Sequence, residues 1–250
     1  MIRTIILIIS FISLTTNTVQ RKEDLVIAAY NVRNCKGMDN ITDYKRVSDI
    51  ITHINPQVIA IQELDSATQR SGGAVVLNEL AVRTKMYPVY GASIKYQGGK
   101  YGIGVLSKEK PVGYRSVGLP GREENRSILI VEFKKFIFCS THFSLTAEDR
   151  LTSVEIINSL FKNSPKPVFL AGDLNATPDS KEIKSLTENW ITLNNPEIPT
   201  IPSDNPRKCI DYILILKNSY SKYKIRDRVV GDEPVASDHL PVWVRLTLKR

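Results

Sequence analysis

Histidine, cysteine and tryptophan are scarce in this sequence: three, three and two among 250 residues. The cysteines (Cys35, Cys139, Cys209) are odd in number and form no CxxC pair. A disulfide-rich scaffold is thereby excluded, and no soft-metal motif is visible. Cys139 lies in an apolar run and reads as a small core residue. A bridge between Cys35 and Cys209 is conceivable in an oxidising compartment, but spacing alone assigns no pairing. No apolar run approaches the roughly 20 residues that a membrane-spanning helix needs. Internal repeats, low-complexity tracts and linkers are also missing, and the 13 glycines and 13 prolines are scattered. Collagen-like, coiled-coil and largely disordered chains are therefore excluded, and a single domain is expected.

What is present is an ordinary globular composition, 42% hydrophobic and 24% charged, with a formal net charge of +8. That charge favours an anionic partner without choosing among nucleic acid, phospholipid headgroup and small phosphoester. The chain opens Met1-Ile2-Arg3, runs apolar over residues 5–14 (IILIISFISL), and turns small and polar at Thr16, Asn17 and Thr18. One early positive charge and a short apolar stretch fit a secretory signal peptide over residues 1–18. The expected mature domain is then 19–250, secreted or periplasmic. A first buried strand is the rival reading of the same residues. No stable protein partner is indicated, and a monomer is expected.

Beyond the leader, β-branched and aromatic runs predict strands at 25–32, 58–64, 104–107, 128–133, 136–141, 168–171, 210–216 and 240–248. Helical spacing of Val47, Ile50, Ile51 and Ile54 predicts a helix over 44–54. Leu151, Val154, Ile157, Leu160 and Phe161 predict another over 151–161. A third is expected to start near Asp179, with Asp179 as its cap and Glu182 as capping-box partner. Residues 194–208 carry four prolines and read as a loop. Helices follow the early strands, while 128–141 reads as a hairpin turning at Lys134-Lys135. The mixture points to an α/β fold with two sheets face to face and helices outside.

The chemistry lies at strand edges. The first strand ends in Asn31-Val32-Arg33, the second in Glu63, and FIFCST in His142. VFLAG ends in Asp173-Leu174-Asn175, Asp211 opens a strand, and Asp238-His239 precedes the last one. Singly, each is an ordinary turn or solvated end. Together they form a rim of hard oxygen and nitrogen groups around one cleft. Oxygen donors suit Mg²⁺ or Ca²⁺ better than a soft metal. Two of the three histidines belong to this set and could move protons or hold a phosphate oxygen. His53, Glu148 and Arg150 read as structural or solvated.

In order and spacing, AAYNVRN, IQELD, YGIGVLS, STHF, AGDLNATP, IDYIL and SDHLPVWVRL resemble the DNase I-like endonuclease/exonuclease/phosphatase superfamily over nearly the whole mature chain. The resemblance implies a four-layered α/β sandwich, two central mixed sheets flanked by helices. It implies Glu63 as principal metal ligand with Asn31 and Asp238 beside it. Asp173 and Asn175 are implied to align the attacking water and hold the scissile phosphate. His239 would be the general base or transition-state stabiliser, oriented by Asp211, with His142 as the second histidine. Arg33 replaces an acid found in one branch of the family and can grip phosphate. Arg126 matches a phosphate-contacting arginine, and Tyr101 is a further substrate candidate. No carboxylate near Gly98-Gly99-Lys100-Tyr101 pairs with His142.

The expected activity is a secreted, Mg²⁺-dependent phosphoester hydrolase, with Mn²⁺ or Ca²⁺ as alternatives, most simply a phosphodiesterase acting by in-line attack of water. Its anionic phosphoester substrate is left among nucleic acid (a DNase I-like nuclease), a phospholipid such as sphingomyelin, and an inositol phosphate. A catalytically silent phosphate-binding module is the non-enzymatic alternative.

Overall fold

The structure is a computed structural model that describes residues 24–249; the expected signal peptide, 1–18, and the domain start at 19 lie outside them. The first half of the chain runs β1 (Leu25–Asn31), α1 (Tyr44–Ile54), β2 (Val58–Ser66), α2 (Val76–Thr84), β3 (Tyr87–Tyr96), β4 (Gly99–Ser107) and β5 (Gly113–Leu119). It continues β6 (Arg126–Glu132), β7 (Ile137–His142), α3 (Ala147–Phe161), β8 (Val168–Asp173), α4 (Lys181–Asn189) and β9 (Trp190–Thr192). The last elements are β10 (Asp211–Leu216), α5 (Lys217–Tyr220), β11 (Tyr223–Val230) and β12 (Val242–Leu248).

Two six-stranded sheets result, ordered β11-β12-β1-β2-β4-β3 and β5-β6-β7-β8-β10-β9. Both are mixed: β1–β2 and β7–β8 are parallel, and the remaining pairs are antiparallel. Between the sheets, Ile27, Ala29 and Ala60 meet Leu129, Phe138 and Ile213. On the outer face of the first sheet, Ala28 and Ile59 pack against Val47, Ile51 and Leu80 of α1 and α2. On the second, Leu170 and Leu214 pack against Val154, Ile157 and Leu186 of α3 and α4. Helix, sheet, sheet, helix is the four-layered sandwich. Central strands are covered on both faces, which is why they read as unbroken apolar runs.

Helix α1 has the expected bounds. Asp43 caps it by accepting from Arg46 N at 3.0 Å, and Asn55 closes it in the left-handed region at φ 52°. Helix α3 begins at Ala147, a turn before the expected start. Helix α4 is capped by Ser180, whose hydroxyl accepts from Ile183 N, not by Asp179. Asp179 instead accepts from Thr177 Oγ1 at 2.6 Å. Glu182 is buried and holds Arg150 Nε at 2.6 Å, so Arg150 is an anchored residue, not a solvated one. All three cysteines are free and buried. Cys35 lies in the α1–α2 layer and Cys209 in the α3–α4 layer, on opposite sides of the sandwich. Among the described residues, no helix is long and apolar enough to cross a membrane.

Candidate active site

The polar strand ends converge at one end of the sandwich. In the second sheet, His142, Asp173 and Asp211 sit in one register row across β7, β8 and β10. In the first sheet, β1 ends at Asn31 beside Gln62 of β2. Asn31 Nδ2 donates to Glu63 Oε1 at 2.9 Å and to Asp173 Oδ2 at 3.0 Å, tying the two sheets together. Asn31 Oδ1 accepts from Arg33 N at 3.1 Å, so the amide presents N–H, not oxygen, to the two carboxylates. The loop before β12 brings Asp238 and His239 to the same place. Ser237 Oγ anchors that loop on Asn31 O at 2.7 Å.

The backbone is bent to aim these side chains. Glu63 has φ 61° in a bulge of β2, where the register with β4 shifts between Ile61 and Leu64. Asn175 has φ 48°, and Arg33, Asn34 and Cys35 are all left-handed. Such conformations are each unfavourable by about 1–3 kcal/mol and gather at functional sites. Gly172, with φ +146°, precedes Asp173; a Cβ there would strike Thr141 O. Glycine thus lets β8 close on β7 and sets Asp173 beside His142.

The two site histidines face different partners. His239 Nδ1 lies 2.9 Å from Asp211 Oδ2, and its Nε2 lies 3.6 Å from Asp173 Oδ2. Burial opposes charge on His239, but the Asp211 and Asp173 carboxylates outweigh it and push its pKa up to about 10. Asp211 is fully buried and also accepts from Thr200 Oγ1. His142 Nε2 lies 3.4 Å from Asp173 Oδ2, while its Nδ1 faces Arg126 Nη1 at 3.1 Å. Burial lowers the His142 pKa to about 4, against the pull of Asp173 and with the help of Arg126. Arg126 is itself paired with Glu123 at 3.2 Å and Glu124 at 2.7 Å.

Arg33 is half-exposed, with Nε 3.6 Å from Asp238 Oδ2. Asn175 is a donor twice over: its N–H donates to Asp173 Oδ1 at 2.9 Å within the turn and its Nδ2 to Phe143 O at 3.0 Å. Tyr101 is partly buried; burial and nearby Glu63 raise its hydroxyl pKa. Sequence reasoning missed Thr200, which donates to Asp211, Ser237, which anchors the loop carrying His239, and Glu123 and Glu124, the clamp on Arg126. It also missed the buried Asp65, held by Asn34 Nδ2 at 2.9 Å and bidentately by Arg70. Glu123, Glu124 and Asp65 pair with arginines only two to five residues away, but no apolar periodicity marks them; Thr200 and Ser237 are revealed only by the partners the fold brings to them.

A divalent cation fits this donor set. Burial raises the Glu63 pKa; the Asn31 hydrogen bond opposes that rise, and the nearby Asp238 and Asp173 charges add to it. Several hard carboxylates thus converge where positive charge would relieve them. Asp173, Asp211 and His239 also bring ligand atoms within 4.8 Å of one another.

Two mixed sheets with a carboxylate–imidazole–amide cluster at their ends define the site of a phosphoester hydrolase. Residues 28–239 match the model of the Endonuclease/Exonuclease/phosphatase family, and the chain belongs to that family. Its members are hydrolases acting on phosphoester bonds and depend on divalent metals. No curated protein sequence matches the chain. Among solved structures it resembles an endonuclease/exonuclease/phosphatase from Beutenbergia cavernae, at 21% identity and TM-score 0.78 over 91% of this chain and 72% of that one. A mannosyl-6-phosphatase of Bacteroides thetaiotaomicron is similar at 16% identity, TM-score 0.68, over 90% of this chain and all of its own. The human Nocturnin catalytic domain with bound sulfate aligns at 15% identity, TM-score 0.66, over 90% and 95%.

Proposed function

We propose that the chain is a secreted, Mg²⁺-dependent phosphodiesterase that hydrolyses its substrate by in-line attack of water. The observation that carries this reading is the Asp211–His239–Asp173 chain meeting Glu63 through Asn31 in one side-chain cluster. Glu63 and Asp238 would hold the cation, and Asn31, expected from the sequence as a ligand, instead steadies Glu63 and Asp173 through its Nδ2. The bound ion would neutralise charge on the nonbridging and leaving oxygens. Asp173 and His239, whose Nε2 lies 3.6 Å from Asp173 Oδ2, would orient a water touching both groups. Asp211 fixes the His239 ring with its Nδ1 protonated. Asn175 and Arg33 are the groups for a phosphate oxygen. Secretion rests on the leader-like residues 1–18, one early positive charge followed by a short apolar run.

One observation favours a second reading, a phosphomonoesterase: the similarity to a mannosyl-6-phosphatase. Turnover of bis-p-nitrophenyl phosphate against p-nitrophenyl phosphate separates the two. Diester cleavage that is lost with EDTA and with His239→Ala supports the proposal; preference for the monoester moves it to the second reading. No turnover with Mg²⁺, Mn²⁺ or Ca²⁺ leaves a phosphate-binding module. Plasmid DNA, RNA, sphingomyelin and phosphatidylinositol then rank the natural substrate classes.

A further inference from the structure

Two imidazoles approach the same oxygen, Asp173 Oδ2, through Nε2: His142 at 3.4 Å and His239 at 3.6 Å. Their opposite ring nitrogens meet opposite chemistry. His239 Nδ1 faces the carboxylate of Asp211, an acceptor, and therefore carries a proton. His142 Nδ1 faces the guanidinium of Arg126 at 3.1 Å. A guanidinium has five N–H donors, no acceptor, and does not deprotonate in proteins. The His142 Nδ1 must therefore offer its lone pair, which leaves the ring proton on Nε2. An imidazolium at this position would set two N–H groups against each other at hydrogen-bond distance.

We propose that Arg126 is a positioning residue that locks His142 as the neutral Nε2–H tautomer, making it a hydrogen-bond donor to a substrate oxygen. Proton transfer is left to His239 with Asp211. The lock is rigid because Arg126 is buried and clamped by Glu123 and Glu124. Glu123 is fixed in turn by Leu145 N at 2.7 Å and Ser144 Oγ at 2.9 Å. Those two carboxylates already neutralise the guanidinium, so Arg126 acts through His142 and not as a free grip on phosphate. The two histidines are thereby assigned different work by what stands behind them. The consequence for catalysis rests on the phosphoester-hydrolase reading above; the tautomer does not.

Long-range ¹H–¹⁵N correlation spectra of the ¹⁵N-labelled chain read the tautomer directly, and three histidines keep the spectrum sparse. With His142→Ala assigning the peaks, His142 Nδ1 is expected at an unprotonated position and Nε2 at a protonated one. In Arg126→Gln both shift toward the averaged values of a free imidazole. A protonated Nδ1 in the wild-type chain overturns the proposal, whether or not the variant folds. Kinetics on bis-p-nitrophenyl phosphate give the second readout. Arg126→Gln and Arg126→Lys are expected to lower kcat by up to about 10², the scale of one misplaced donor, with KM unchanged. A raised KM at unchanged kcat would make Arg126 a phosphate contact and also overturn the proposal. Absence of turnover on every phosphoester with Nδ1 still unprotonated would remove the hydrolase reading and leave the lock in place.

Discussion

His239 and Asp211 form the pair on which activity is expected to depend most. Asp211→Asn keeps the shape of the side chain but removes the negative charge behind the His239 imidazole. Its kcat is expected to fall by about 10²–10⁴, with the far-ultraviolet circular dichroism unchanged; a smaller loss would remove Asp211 from the reaction. A second residue-scale test concerns acid stability. Burial alone would raise the Glu123 pKa, but hydrogen bonds from Leu145 N–H, Ser144 Oγ and Arg126 outweigh it and lower it to about 2. The folded value lies below the ordinary 4.5, so the stabilisation is complete above pH ~4.5 and fades as pH falls toward 2. Glu123→Gln is expected to flatten that part of the profile of urea midpoint against pH. An unchanged profile would show that Glu123 does not carry it.

At the scale of elements, the positions of the strands that local pattern misses are instructive. Strands β3, β5, β9 and β11 are the four edges of the two sheets. Along β5 most residues are at least partly exposed, and β11 alternates irregularly with charged residues. Edge strands bury less surface, so their sequences carry a weaker apolar signal than β1, β2, β8 and β10, which are covered on both faces. The junction of β7 and β8 carries the element-scale prediction. Gly172→Ala places a Cβ against Thr141 O in a backbone region that disfavours L residues. It is expected to destabilise the protein by at least the ~1–3 kcal/mol of backbone strain, and to displace Asp173 from His142. Gly118→Ala, with open space above it on edge strand β5, is the matched control. Equal urea midpoints for the two variants would contradict this account.

For the whole molecule, a cation that binds only the folded state must stabilise it. At a hundredfold excess over Kd the gain is about 2.7 kcal/mol, several degrees in Tm for a domain of this size. Differential scanning fluorimetry is expected to show this rise with Mg²⁺ or Mn²⁺ in the wild type and its loss in Glu63→Gln. A shift that survives in Glu63→Gln would place the ion elsewhere. Export is tested by N-terminal sequencing of the secreted chain, expected to begin near Val19; an intact Met1 on a cytosolic protein would reverse that proposal.

By itself the sequence determined the layered α/β class, the double-sided central strands and the identity of most groups in the pocket. Those are written in apolar periodicity and in polar residues that interrupt it at strand ends, both local signals. Tertiary structure alone decided what each group faces. That Asn31 turns its N–H to two carboxylates, that Arg126 stands behind His142 while Asp211 stands behind His239, and that Thr200 braces Asp211 all follow from side chains of different elements meeting at one end of the sandwich. A hydrogen bond's direction and an imidazole's tautomer are set by that meeting, and no local pattern encodes it.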